Sequence, residues 1–410
     1  MSETNGPGEA MRQGDRLWVR TLIVFTLVGV TEAFAWGHLD AFAPIYLREL
    51  GVPEEALARW VAVMPALGFI IGLPLLPFWG VWAEKYGRKV MIIRSSVAGA
   101  VFFFLSAIAG DVWTLAAARL LSGLVLGNTG IMLAVQGELT PRDKMGTAVA
   151  VVSAGFPLGA MLGPATGGLL VPLIGIRGLL AVDAAVTALM AVVLALLIPE
   201  PPRPARPPKQ TFQALGSAIR AVAQTPGVRV TFLASFLLYL GFSAGRPLVP
   251  LLIEELYVGP NLPGAIGAIL TIAGLGAAIG TPLVGRLGDR LGRRSVYLAA
   301  AALAMVFMLA LVMAGDLPVL TAAVAFLAVA VNGGLALGMA LIAEHAPDDR
   351  KASVLTLALL PQQLSWFLGP LSAAAIAGLG IRAVFAFGAM TATLAGVVAT
   401  RLPGRPPGSN

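Results

Sequence analysis

The sequence predicts an all-α integral membrane protein, with twelve transmembrane helices in two pseudo-symmetric six-helix bundles. Three observations carry this expectation. The chain is apolar throughout: 58% of its 410 residues are hydrophobic and 12% are charged, and its mean hydropathy is +0.86. Soluble chains carry about 25% charged residues. Twelve apolar stretches are long enough to cross a bilayer, which takes ~20 residues. Finally, the chain repeats itself at an offset of 205 or 206 residues.

The repeat is ordered. Gly80-Val-Trp-Ala-Glu84-Lys85-Tyr-Gly87-Arg88-Lys89 returns as Gly285-Arg-Leu-Gly-Asp289-Arg290-Leu-Gly292-Arg293-Arg294. Gly110-Asp111 returns as Gly315-Asp316, Glu138 and Pro141 as Glu344 and Pro347, and Gly163-Pro164 as Gly369-Pro370. Pro44, ahead of Arg48-Glu49-Leu50, returns as Pro250 ahead of Glu254-Glu255-Leu256. Tandem duplication of an apolar half is a plan of secondary transporters.

The first six helices are expected at 17–43, 57–79, 90–109, 112–136, 145–172 and 178–198. The polar segment 1–15 shows no cleavage site, so the first helix reads as its own insertion signal. Helices 2 and 3 flank the first copy of the basic motif. Helix 4 carries Arg119. Helix 5 has glycines at 155, 159, 163 and 167, a bare face that lets another helix approach. Pro164 bends it. That surface is expected to lie between the halves, where it would suit sliding. Helix 6 ends at a proline-rich basic stretch, 199–211, which cannot continue a helix. Residues 212–224 read as a short amphipathic helix on the membrane surface, with Phe212, Leu215 and Ile219 on one side.

The second six helices are expected at 228–252, 262–284, 295–314, 317–342, 352–377 and 381–401. The tail 402–410 reads as unstructured. The domains are therefore 1–198, an N-terminal bundle; 199–227, a cytoplasmic linker; and 228–410, a C-terminal bundle with a short tail. Of 28 Lys and Arg, 22 fall in one set of loops, Arg94 among them, and four in the other. The positive-inside rule then puts both termini in the cytoplasm.

Composition excludes much else. With no cysteine and two histidines, disulfides and thiolate sites are ruled out, and a His-built metal site is not expected. The net charge of +7 is spread between apolar stretches, so it points to topology and not to nucleic acid. No nucleophile–base set or phosphate-binding loop is present. The chain is not expected to be an enzyme, to hold a cofactor or to bind nucleic acid. It is expected to act as a monomer in the bilayer.

Ionisable residues inside spans are costly and hence candidates for function. Glu32 lies near the middle of helix 1. Asp40 is eight residues on, about 12 Å further out and roughly 80° around the helix. Arg119, Asp183 and Arg246 complete the set. The repeat maps Asp40 onto Arg246, so the two are expected to face each other near the outer mouth. Phe34, Trp36, Phe242, Asn332, Gln362, Gln363 and Trp366 could line a mostly apolar pocket with a few polar handles. Glu84 and Asp289 could accept hydrogen bonds from helix N-termini or pair with arginines, as a conformational latch. Gly80, Gly87, Arg88, Gly285, Arg290, Gly292 and Arg293 complete that motif.

Two six-helix halves, a basic central loop and the G-x-x-x-[DE]-[RK]-x-G-[RK]-[RK] motif after helices 2 and 8 resemble the major facilitator superfamily over essentially the whole chain. Arg119-Leu-Leu-Ser-Gly123 in helix 4 narrows the resemblance. So does Gly155-Phe-Pro-Leu-Gly159-Ala-Met-Leu-Gly163-Pro164-Ala-Thr-Gly167-Gly168 in helix 5. The second is similar to the signature of the twelve-helix drug:proton antiporters of bacterial multidrug efflux. The resemblance implies a bacterial inner-membrane exporter of amphipathic, hydrophobic or cationic small molecules. It implies protons as the coupling ion and alternating access as the mechanism. It implies proton-coupling roles for Glu32, Asp40 and Arg119, with Glu32 and Asp183 also open to substrate. The alternatives are a lipid or lysolipid translocase, anchored on Arg246 and Arg119, a metabolite exporter, or a membrane sensor that does not transport.

Overall fold

A computed structural model describes residues 7–200, 211–347 and 350–402. Most of the linker 199–211 and of the tail 402–410, and the side chains of Phe212 and Leu215, lie outside the described residues. The described chain is all helix and turn. It crosses the bundle twelve times: α1 (Pro7–Glu49), α2 (Glu54–Tyr86), α3 (Arg88–Ile108), α4 (Val112–Leu139), α5 (145–174), α6 (176–197), α7 (Pro226–Leu256), α8 (Leu262–Leu291), α9 (Arg293–Met313), α10 (Leu317–His345), α11 (Leu360–Ile376) and α12 (Ile381–Ala399). Helices α5 and α6 follow one another across a kink at Gly175, whose φ of 68° only glycine takes without strain. Helix α4 is interrupted by a 3-10 turn at Ser122–Val125, and α7 by one at Arg246–Leu248. The protein is therefore a multi-pass membrane protein. Exposed Leu169, Leu173, Leu196 and Met313 are apolar residues suited to lipid contact. The packed interior holds Tyr46, Phe102, Phe103, Tyr297 and Phe385.

The repeat seen in sequence is a repeat of interactions. Gly87 and Gly292 turn the chain with φ of 108° and 94°, a region that favours glycine. Arg88 then pairs with Glu138, and Arg293 with Glu344 at 3.3 Å. Lys89 donates to the Ala195 carbonyl at 2.6 Å and Arg294 to the Thr400 carbonyl at 2.5 Å, cations placed at helix C-termini. At the opposite end, Asp111 caps α4 through the Thr114 amide and Asp316 caps α10 through the Val319 amide, each at 2.8 Å. The Thr114 amide holds the Asp111 carboxyl below its ordinary pKa. Arg177 donates to the Ala107 carbonyl in the last turn of α3, and Arg382 to the Ala314 carbonyl just past α9.

Two sequence expectations need correction. The glycine row of α5 does not lie between the halves. It is the seat of α1: a Cβ on Gly155 would come within 2.7 Å of the Thr26 carbonyl, and one on Gly163 within 2.5 Å of the Phe34 carbonyl. Gly159 abuts Val30, and Gly167 abuts Phe42 and His38. The surface of α5 that meets the other half is the neighbouring one, where Pro164 and Gly168 meet Gly267 and Pro263, and Met161 meets Thr271 and Gly274 of α8. Arg94 is not a loop charge. It lies within α3, stacked on Trp79 with its guanidinium carbon 3.4 Å from the ring centre, and donates to the Leu126 carbonyl. The helix Thr211–Gln224 exposes Ile219 but turns Ala218 and Ala221 inward. Ala221 joins a cluster with Val228, Ile342 and Val354, which ties this helix to the second half.

Candidate transport site

Glu32, Trp36 and Asp40 are spaced four apart, share one face of α1 and are each partly exposed. That face meets the second half at Asp40, through Arg246, and two charge clusters form along it.

The outer cluster centres on Asp40, which receives Arg119 from α4 at 3.1 Å and Arg246 from α7 at 3.5 Å. Arg119 is buried. It also donates to the Met64 carbonyl at 3.1 Å and lies over the Trp36 ring at 4.6 Å. Arg246 sits in the 3-10 turn that breaks α7 and lies over Trp366 of α11 at 4.9 Å. Tyr239 packs against Phe242 and Trp366, and its hydroxyl accepts from Gln362 at 3.4 Å. A small pocket beside Asp40 and Arg119 is lined by Ala43, Tyr46, Met64 and Pro247.

The inner cluster centres on Glu32. Its carboxylate accepts from Asn128 at 3.1 Å and from Ser95 at 3.4 Å, with Arg94 within electrostatic reach. Asn128, Ser95 and Arg94 were not among the residues the sequence singled out.

Asp183 does not line the space between the halves. It is buried, with both carboxylate oxygens 3.0 Å from Nδ1 of His38, while Nε2 of the same ring lies 3.0 Å from the Thr166 hydroxyl. This pair joins α1, α5 and α6 within one half. Asn332 is half-buried and donates to Ala328 of its own helix. Phe34 packs edge-on to His38 at 4.4 Å. Gln363 is half-buried on α11 next to Gln362.

In the basic motifs, Asp289 pairs with Arg293 at 3.1 Å. A carboxylate oxygen of Glu84 is buried with no hydrogen-bond partner among the described residues. Gly80 and Gly285 have open space where a side chain would project, and Arg290 borders a groove with Arg294 and Glu344.

Polar and glycine contacts between the halves run from the middle of the bundle to the end opposite the basic motifs. Besides Asp40–Arg246 and the α5–α8 contact, Arg48 donates from one guanidinium nitrogen to both oxygens of Glu254 at 2.8 Å, and Arg59 abuts Gly378. At the basic end the ion pairs of the described residues stay within a half. The arrangement is a two-lobed bundle closed at one end, with charge clusters at two depths.

A sequence profile described as Major Facilitator Superfamily matches residues 25–230 and 231–410. The multidrug resistance protein MdtG of Escherichia fergusonii is 29% identical over 289 residues, 69% of each chain. That of Citrobacter koseri is 27% identical over 375 residues, 90% of this chain and 91% of the relative. Among solved structures, the nucleoside transporter NupG superposes with a TM-score of 0.76 at 14% identity, covering 93% of this chain and 98% of that one. A bacterial homologue of the human lysosomal transporter Spinster, in an inward-facing and unoccupied conformation, gives a TM-score of 0.70 at 15% identity, covering 94% and 95%.

Proposed function

The chain belongs to the major facilitator superfamily and is a transporter of that type, and from this premise we propose that it exports amphipathic small molecules in exchange for protons. It works as a monomer in the bacterial inner membrane, with both termini in the cytoplasm. The observation that carries the reading is the shared face of α1. Two acids, Glu32 and Asp40, stand at two depths on that face, and each has arginine within reach. A carboxylate beside a cation favours its charged form, and one that loses the cation in an apolar site favours the neutral form. Rocking of the halves about the α1–α7 contact makes or breaks the Asp40–Arg246 pair, which crosses between the halves, and so changes the charge that Asp40 meets. The acid that faces outward takes up a proton, and the same acid facing inward releases it.

Closure at the end opposite the basic loops corresponds, on the positive-inside orientation, to a transporter open to the cytoplasm. The buried, unpartnered oxygen of Glu84 fits this state. The latch of the basic motif is released when the cytoplasmic side is open, and engages a helix N-terminus when it closes. The printed description of the MdtG relatives as multidrug resistance proteins supports export as the direction.

The test is proton flux in proteoliposomes loaded with a pH-sensitive dye. Wild type and Glu32→Gln are compared under an imposed proton gradient with a panel of amphipathic cations, neutral compounds and anions. Substrate-triggered proton movement in wild type and its loss in Glu32→Gln is the expected result. Substrate movement without any proton movement would refute antiport.

A further inference from the structure

We propose that the wall formed by Arg246 and Trp366 beside Asp40 recognises an anionic group, a carboxylate or phosphate carried on an apolar body, with Arg246 as its anchor. This rests on the transport reading and names the chemical class of its substrate.

The argument is one of charge and satisfaction. Two guanidinium groups share one carboxylate: Asp40 stands between Arg119 and Arg246. Arg119 is fully engaged, by Asp40, by the Met64 carbonyl and by the Trp36 face. Arg246 is not. Its contact with Asp40 is the longer, 3.5 Å, and it is the most exposed of the three, at 36%. Among the described residues Asp40 is its one acidic partner. Glu32 does not offset the excess, because it lies about 12 Å away along α1 and is held there by Asn128 and Ser95.

An excess cation within a membrane-spanning bundle is costly unless a counter-charge arrives. Arginine offers a planar fork of donors that matches carboxylate and phosphate oxygens. The surroundings suit a body attached to that anion. Trp366 stacks under the guanidinium, with Phe242 and Tyr239 beside it, and Gln362 adds an amide at the same wall. A cationic substrate at this level meets two arginines against one acid and is repelled. The sequence-based expectation of cationic substrates is therefore narrowed to molecules with an anionic group.

The test is calorimetric binding to the full chain in phosphatidylcholine nanodiscs, with empty nanodiscs subtracted. Octyl phosphate, octanoate, octyltrimethylammonium and octanol share one tail and differ in head group. The two anions are expected to bind at least about tenfold tighter than the ammonium, since a charge-assisted hydrogen bond contributes roughly a tenfold to hundredfold change in affinity. Arg246→Gln is expected to remove that preference while octanol binding stays, and Arg246→Lys to keep part of it. Equal or tighter binding of the ammonium would overturn the proposal. So would an Arg246→Gln variant, folded by thermal unfolding, with unchanged anion affinity. Loss of octyl phosphate binding when phosphatidylglycerol is added to the nanodisc supports the anion site and assigns its occupant to lipid head groups. Failure of the transport reading is separable: it would appear as anion binding with no flux of any substrate in proteoliposomes.

Discussion

Removing the carboxylate of Glu254 should open the far end of the bundle. Arg48 of α1 holds both oxygens of Glu254 of α7 at 2.8 Å, and the two side chains are about a third exposed, at 32% and 30%. A pair this accessible contributes at most about 1 kcal/mol, since exposed pairs give ~0.2–1 kcal/mol. Arg48 also holds Glu54 at 2.6 Å, so Glu254→Gln leaves it partnered, and no orphaned charge inflates the effect. The ratio of open to closed at the far end should then rise about fivefold. The chain contains no cysteine, so Ala43→Cys creates a single thiol in the pocket beside Asp40 and Pro247. Its rate of reaction with a membrane-impermeant maleimide, added from the far side, reads the open population. The rate should rise about fivefold in Glu254→Gln, with a similar rise in Arg48→Gln. Unchanged rates in both variants would refute the assignment of this pair to far-end closure.

Three further outcomes are expected. Asp183→Ala removes the hydrogen-bond partner of a buried histidine and should destabilise the protein by about 1–3 kcal/mol, the cost of a buried polar group left unsatisfied; thermal unfolding in detergent checks it, and an unchanged transition would show that His38 is held without Asp183. Gly159→Ala places a methyl against the Val30 carbonyl and should cost about 1–3 kcal/mol by overpacking, whereas Gly146→Ala, with open space around it, should be silent in the same assay. Gly168→Ala acts between the halves, where its Cβ would come within 2.8 Å of the Pro263 carbonyl. It should raise far-side labelling of Ala43→Cys with little loss of stability, which separates the rocking surface from the packing surface of α5.

The fold was legible because the bilayer constrains it so strongly. Span length, the basic loops and the repeat each leave a signal in one dimension. What one dimension does not carry is the neighbour a face meets. The period of the α5 glycines identified a bare stripe, but nothing in the period says that α1 of the same half lies on it. Arg94 followed three clustered basic residues and read as a loop charge, yet six residues into α3 it is already about 9 Å deep. His38 gave a fainter signal. It is one of two histidines and the one within a span, so an unpaired Asp183 in the same half was a partner to be sought for it. The repeat offered no help, because positions 244 and 389, the equivalents of His38 and Asp183, are alanines.

Where the repeat did speak, it spoke through the symmetry axis. Asp40 meets Arg246 and Arg48 meets Glu254, and in both cases the partners are equivalent positions of the two halves, 206 residues apart. Equivalent residues can touch only at the axis relating the halves, so this face of α1 and that of α7 lie along it. A faithful duplication would set identical residues opposite each other there, and identical charges repel. Each charged axis position must therefore be answered by an opposite or an uncharged residue. One residue off the axis the constraint vanishes. Glu49 and Glu255 are both acids, and Glu255 pairs with Arg382 at 2.9 Å instead. Restoring likeness at the axis is thus the severest test of this reading. Glu254→Arg, which sets two arginines opposite each other, should open the far end more than Glu254→Gln does, while Glu255→Arg should not. Equal labelling of Ala43→Cys in the two arginine variants would place the axis elsewhere.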